Sequence, residues 1–523
     1  MKLTKNIIFS FLASGLLLFT GCKKDVFDIN ANPDDITDAS VTPGVLLPGA
    51  LQNTARIVAT DWPFLNAWMG YWARSGSYQS ITDVETYRFT NDFQVQIWND
   101  LYSNNNNYTI MMNKAKETGA GFYEAIAHIM RAHNFGILVD VYGNIPYSEA
   151  FRGTAVATPK YDKAEDVYAG LFAELDEAVA LLQNAGAIEE AKNPDITSAD
   201  LVYKGNATSW IRFANTLRLR LAMHGVNGLA TTQIAPGINV AGQLAKVTSH
   251  GFLGAGQSAH LNPGFVATKP NPYYRSFVAN EAGTQTGDQW RANSYAIGYY
   301  NYNGDPRVSR FYVAPSGASH KGIPFGTPSG DPNLAGDKLS TVRGPGLVPD
   351  GAASRAWILT SVESLFLQAE ARHRGLLTTG PAAGALLTSA IRESFVWLGL
   401  TAGQADTYLA NNEGYPDVDY TAPWQTATPP GGGLFTILSQ KWFALNSIAT
   451  FEVWSDYRRT DYVLGSVVGY QAGPPLSVEP SRTATSIPRR LLYPQAEYNY
   501  NAANVGAQGT LNVFTGKIFW DLN

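Results

Sequence analysis

The chain has 523 residues, a formal net charge of −5 and only 15% charged side chains, so it lacks the basic surface needed to displace counterions from phosphates, and no nucleic-acid partner is expected. Its single cysteine excludes an internal disulfide, which leaves a hydrophobic core to hold the fold, and a chain this long can bury an ample one. The 12 Trp and 27 Tyr beside 49 Gly and 28 Pro describe a chain rich in both rings and loops.

Lys2 and Lys5 precede an apolar run, Ile7 to Phe19, which has signal-peptide length and is too short to span a bilayer. The run ends in Phe19-Thr20-Gly21-Cys22, and the small residue before the lone thiol puts Cys22 where a bacterial lipoprotein is cleaved and acylated. Residues 1–21 therefore read as a lipoprotein signal peptide. Cys22 becomes a lipid anchor whose acyl chains, such as palmitate, contribute ~0.8 kcal/mol per buried CH2. Residues 22–45 are polar and rich in Asp, Asn and Pro, and read as a flexible tether. Within them Asp28-Ile29-Asn30-Ala31-Asn32 alternates oxygen side chains like a calcium loop. Pro33 stands where that loop needs glycine, and no glutamate follows at the twelfth position, so no metal is expected there.

Leu47, Leu51, Ala55 and Val58, then Phe64, Leu65, Trp68 and Trp72, predict two early helices. Arg74 to Asn91 is polar and aromatic and suits a surface loop or short hairpin. Trp98, Leu101 and Tyr102 share one helical face before Asn104 to Asn107 interrupts the apolar pattern; Phe122 to Leu138 and Asp162 to Leu182 are further helices. Trp210, Phe213, Ala214, Leu217 and Leu221 recur at helical spacing with Arg212, Arg218 and Arg220 between them. From Gly225 to Leu359 periodicity fades, while Gly, Pro, Asn and Tyr accumulate, which predicts a loop-rich excursion. Helices are expected again over Ser361 to Arg374, Ala382 to Leu398 and Ile437 to Tyr457, with a Pro/Gly-rich insert at Tyr415 to Gly433 and an irregular C-terminal stretch.

Seven strings along this chain resemble, in order, signatures of the SusD/RagB outer-membrane lipoproteins, especially their second branch. They are Phe27 to Pro33, Tyr142-Gly143-Asn144-Ile145-Pro146-Tyr147, Trp210 to Arg220, Asp305-Pro306-Arg307, Glu363 to Ala371, Arg458-Arg459, and Pro488-Arg489-Arg490-Leu491-Leu492-Tyr493-Pro494. The resemblance implies a mainly α fold, with tetratricopeptide-like helix pairs and a loop-rich ligand-binding part. It implies one domain over 46–523, with a helical scaffold at about 46–224 and 360–460 and the excursion at about 225–359. The usual tetratricopeptide spelling at a 34-residue period is absent, so this architecture rests on the resemblance. Members face the cell exterior and close like a lid over a TonB-dependent SusC-like barrel, capturing oligosaccharides or peptides, with no cofactor. Lys23-Lys24-Asp25 after Cys22 resembles the charged signals that accompany surface export, so an outer-membrane location is expected.

Two aromatic and polar loop zones, Trp72 to Gln79 and Tyr273 to Tyr302, are the candidate ligand surface. Trp72, Tyr78, Trp290, Tyr295 and Tyr300 offer stacking platforms, while Arg74, Gln79, Arg291 and Asn293 offer oriented hydrogen bonds to hydroxyls or peptide groups. Arg218, Asp305, Arg307, Arg458 and Arg459 match family signatures but read as internal ion-pair and capping residues.

The rival functions are a surface glycoside hydrolase, a free-standing glycan-binding protein, and an adhesin. The acid pairs Asp417 with Asp419 and Glu363 with Glu370 have no telling spacing. Gly-x-Ser-x-Gly, His-Glu-x-x-His and the Walker loop are absent, and His128 and His133 fall on different helical faces, so the chain is not expected to be an enzyme.

Overall fold

A computed structural model describes residues 41–60, 62–79, 82–226, 233–235, 237–247, 250–422, 433–460 and 474–521. The signal peptide, Cys22 and the candidate calcium loop lie outside the described residues. Residues Pro43–Asn523 form one compact unit.

The scaffold begins with α1 (Pro43–Thr60), inside the stretch read as tether, and α2 (Pro63–Trp68). A short strand β1 (Trp72–Arg74) follows, then four long helices, α3 (Val95–Thr118), α4 (Gly121–Tyr142), α5 (Ala164–Gln183) and α6 (Ala207–His224). Gly119 closes α3 in the left-handed region at φ 70°, so the chain reverses within two residues and α4 packs back along α3. Every residue of α4 is buried, because α3 covers one side and α5 the other. On α5 the apolar stripe Val167, Leu171, Leu175, Val179 and Leu182 is buried, as its period predicts.

Among the described residues of the excursion the strands are two or three residues long. These are β2 (Gln233–Ala235) with β3 (Ile238–Asn239), and β4 (Ala259–His260), β5 (Trp290–Ala292) and β6 (Trp357–Leu359), with short helices α7 (Pro272–Phe277) and α8 (Ser294–Tyr302) among them. β1 pairs antiparallel with β5, and β4 with β6. The scaffold resumes with α9 (Ser361–His373), α10 (Ala383–Trp397), α11 (Ala402–Asn411), α12 (Gly433–Leu445) and α13 (Thr450–Thr460). The architecture is thus mainly α, with neighbouring helices paired in sequence order. Among the described residues no helix is long and apolar enough to cross a membrane.

Three local expectations are corrected. α3 runs straight through Asn104 to Asn107, and the amide of Asn104 donates to Ala50 O at 3.2 Å and to Thr54 Oγ1 at 2.9 Å, so a polar run serves a helix interface. The segment Ile437 to Tyr457 is two helices, broken around Ser447 at φ 60°. α11 was not foreseen, although Thr401 and Gln404 form a capping box at its start.

Buried ion pairs tie the helices together. Arg220 of α6 grips Glu363 of α9 with two bonds, 2.6 and 2.8 Å, and Arg459 of α13 grips Glu370 of α9 at 2.8 and 2.5 Å. Arg307 pairs with Asp305 at 2.6 Å in the interior, while buried Arg218 reaches out to half-exposed Asp176 at 2.7 Å. Arg458 lies over the Trp454 ring at 3.5 Å and donates to the carbonyls of Asp140 and Arg489, so it caps the end of α4. The reading of these residues as internal pairs and caps therefore holds. Glu363 and Glu370 are consumed in the same pairs, which leaves no open acid pair there.

Candidate functional site

The short β1–β5 ribbon assembles the two predicted loop zones. Its register sets Trp72 opposite Ala292, Ala73 opposite Arg291 and Arg74 opposite Trp290, and Ser75 N–H extends the pairing to Gln289 O at 2.9 Å. β1 is held from behind by the C-terminal helices. Tyr71 Oη donates to Trp442 O at 2.6 Å, the Trp442 indole donates to Met69 O at 3.0 Å, and the Trp72 indole donates to Ser447 Oγ at 2.9 Å.

This anchoring divides the nine candidate residues into two groups. Trp72 is 1% exposed and packs edge-on against Phe277 at 5.0 Å; Tyr300 is fully buried and donates to Phe443 O. Asn293 is buried and caps α8, its Oδ1 accepting from Tyr295 N–H at 2.9 Å, and Arg291 is buried with its guanidinium spent on Gly336 O, Asp288 O, Trp290 O and Asp288 Oδ1. These four have no open face for a ligand and build the frame instead. The open group comprises exposed Tyr78 and Gln79, with Arg74, Trp290 and Tyr295 partly buried. Tyr295 faces Tyr299 and Trp442, so its ring is shared with the core.

The frame sets the electrostatics of the open group. Tyr78 Oη donates to Asp288 Oδ2 at 3.2 Å, and Arg343 lies 3.5 Å from the same carboxylate. Partial burial pushes the Asp288 carboxyl up, but the hydrogen bond and charge of Arg291 outweigh it and hold it below its ordinary range. Asp288 stays ionised and holds the Tyr78 ring in place. Beside Arg74 of β1, burial lifts Glu85 to about 7 against the opposing pull of its Thr82 hydrogen bond and of Arg74, 3.8 Å away.

A third segment, Asp331 to Gly336, completes the surface and was not foreseen. Gly76 N–H donates to Leu334 O at 3.1 Å, and Gly336 N–H donates to Ser77 Oγ at 3.0 Å. A Cβ on Gly76 would stand 2.4 Å from Leu334 O, so glycine is what lets the two loops touch. The Gly/Pro/Asp content of this segment marks a loop, but nothing in it points to Gly76. Among the described residues no group of three or more His, Cys, Asp or Glu is placed to hold a metal. His128 lies beside Glu124 and Glu174, while His133 bonds Asn134, on different faces as spaced.

Fold and site together define a helical scaffold that presents a loop surface of exposed and half-buried rings with oriented polar groups. Residues 33–494 match the family model SusD-like_2, described as starch-binding associating with outer membrane, and the chain belongs to that family. It is similar in structure to a chitin-binding SusD homologue from Flavobacterium johnsoniae, at 25% identity and TM-score 0.70 over 91% of this chain and 99% of that one. SusD homologues from Bacteroides uniformis (23% identity, TM-score 0.70, 91% and 99% covered) and Bacteroides ovatus (24%, 0.69, 92% and 99%) share the fold. No curated protein matches.

Proposed function

We propose that this chain is a cell-surface glycan-binding lipoprotein that acts as the lid of a TonB-dependent SusC-like barrel and captures oligosaccharides for import. Acylated Cys22 anchors it in outer-membrane lipid, facing the exterior, and residues 22–45 tether the body so that it swings while staying beside its barrel. Tethering supplies effective concentration in place of tight affinity. The observation that carries the reading is the β1–β5 ribbon, which gathers Tyr78, Gln79 and Trp290 from zones some 210 residues apart onto one surface. Rings supply stacking area and the amide supplies orientation, which suits a hydroxylated ring better than a peptide backbone. The starch-binding description of the family and the chitin-binding relative favour glycan over peptide as cargo. Asp288, the carboxylate among these rings, is occupied by Arg291, Arg343 and Tyr78, which argues against acid–base work by a glycoside hydrolase.

The test is gentle solubilisation of the outer membrane, capture of this chain and mass spectrometry of what accompanies it. A stoichiometric TonB-dependent barrel is expected. Capture of the chain alone, under conditions that preserve such complexes, refutes the lid role, and glycan binding by the isolated protein then supports a free-standing binder.

A further inference from the structure

A second cleft opens between the β4–β6 ribbon and the C-terminal end of α10, with a volume of about 270 Å³. The β4–β6 register slips between Ala259 and His260, and this irregularity re-aims the His260 side chain. The imidazole lies nearly parallel to the Trp397 indole, with centroids 6.2 Å and planes 18° apart, and Trp397 in turn stands edge-on against Trp357 at 5.3 Å. Trp397 is only partly buried and its neighbour Val396 is 50% exposed, so the apolar wall opens to solvent. A ring that is packed on one part and open on another, at a concave surface, is a common ground for ligand binding.

The polar groups around this wall are mixed in sign. Glu393 is 7% exposed, and its Oε1 takes both Gly256 N–H at 2.8 Å and Ser361 Oγ–H at 2.5 Å, so the carboxylate has a fixed orientation. Asp350 and Arg355 line the rim and are exposed. Burial, with Arg355 nearby, pushes His260 down to about 4, so near neutral pH the imidazole is uncharged and carries one donor and one acceptor. The two acids disfavour a phosphate, and the guanidinium disfavours a bare cation. What fits is a neutral ring with an apolar face and hydroxyls at its edge.

We propose that this cleft is a second carbohydrate site that takes one pyranose unit, its apolar side against Val396 and the exposed part of Trp397 and its hydroxyls held by Glu393, Asp350 and Arg355. The volume accommodates a single ring, so the site holds one unit of a longer glycan. It is separate from the loop surface and does not depend on the lid role. A column of rings, Trp290, Trp72, Tyr273, Trp357 and Trp397, connects the two places at centroid steps of 5.8, 6.5, 6.3 and 5.3 Å. A glycan engaged at both points gains avidity without a new contact.

Saturation-transfer NMR on the full mature chain tests this, with methyl glycosides of glucose, galactose and mannose and with N-acetylglucosamine as probes. At least one probe is expected to bind in roughly the millimolar range, the affinity a single ring can reach. Measured in the Tyr78→Ala background, which removes the proposed loop-surface platform, Glu393→Gln and Trp397→Phe are each expected to weaken the remaining binding about tenfold. Because Trp397 also supports Trp357, the exposed Arg355→Ala serves as the second variant, with an expected loss of about three- to tenfold and unchanged circular dichroism. The proposal is overturned if no probe binds at about 50 mM. It is equally overturned if Tyr78→Ala abolishes the signal or if the cleft variants bind as the parent does.

Discussion

The partition of the predicted platforms into frame and surface makes opposite predictions for two aromatic residues six positions apart. Trp72 is 1% exposed, packs on Phe277, Tyr273 and Trp290, and donates to Ser447. Truncating such a Trp to Ala costs about 3–5 kcal/mol through lost transfer free energy and the cavity left behind. Against a total of about 5–15 kcal/mol, Trp72→Ala should still fold, with a clearly lowered urea midpoint. Tyr78 is 37% exposed and its hydroxyl is held by Asp288, so Tyr78→Ala should change the unfolding free energy by no more than about 0.5 kcal/mol. If its ring is a glycan platform, its loss removes about 1–2 kcal/mol of binding, roughly ten- to thirtyfold in affinity. Urea unfolding followed by far-ultraviolet circular dichroism, with affinity electrophoresis against soluble polysaccharides, reads both quantities. A Tyr78→Ala protein that unfolds early, or a Trp72→Ala protein with an unshifted midpoint, refutes the partition.

Gly76→Ala should displace the Asp331 to Gly336 loop, because the new Cβ would sit 2.4 Å from Leu334 O, and should weaken glycan binding more than global stability; retained binding would show that the third segment is not part of the surface. Glu370→Gln should destabilise by about 3–5 kcal/mol, since Arg374 would then be buried without its carboxylate and Arg459 would lose one of its two carboxylate partners while keeping Asp456, whereas an apolar replacement of Glu370 and Arg459 together should recover part of the loss in the same unfolding assay. Burial alone would push His224 down, but Glu452 and Asp140 outweigh it and hold the imidazole at about 9. A raised cation contributes stability that is fully present below its ordinary value of 6.5 and is lost as pH climbs through 9. The unfolding free energy should therefore decrease as pH rises from 6.5 to 9, by up to about 3 kcal/mol, and His224→Gln should flatten that slope.

Periodicity carried the scaffold well where one face alone is apolar, as on α5, whose buried stripe is the one its spacing marks. It misled where polar side chains do interior work. Asn104 and Asn105 are buried inside α3, and no hydropathy pattern reveals that an Asn is satisfied by a neighbouring helix. The break between α12 and α13 was hidden because Ser447 takes its left-handed conformation in an otherwise helical apolar run. At the site, loop composition located both zones but could not separate Trp72 from Tyr78. Their difference is set by partners at Ser447 and Asp288, hundreds of residues distant in sequence.

Those distances also bear on the order in which the molecule assembles. The α3–α4–α5–α6 hairpins are made from contacts local in sequence and can close early, whereas β1 needs Gln289 to Ala292 for its ladder and Trp442 and Ser447 for its backing, the last at a separation of 375 residues. A chain delivered N-terminus first therefore carries its early aromatic loop unpartnered until nearly all of it has arrived. Loop closure over such spans is costly to initiate and becomes favourable only when several contacts form at once. The proposed ligand surface is thus expected to be among the last parts to mature, and a truncated or stalled product to keep its helical hairpins without completing the β1–β5 ribbon.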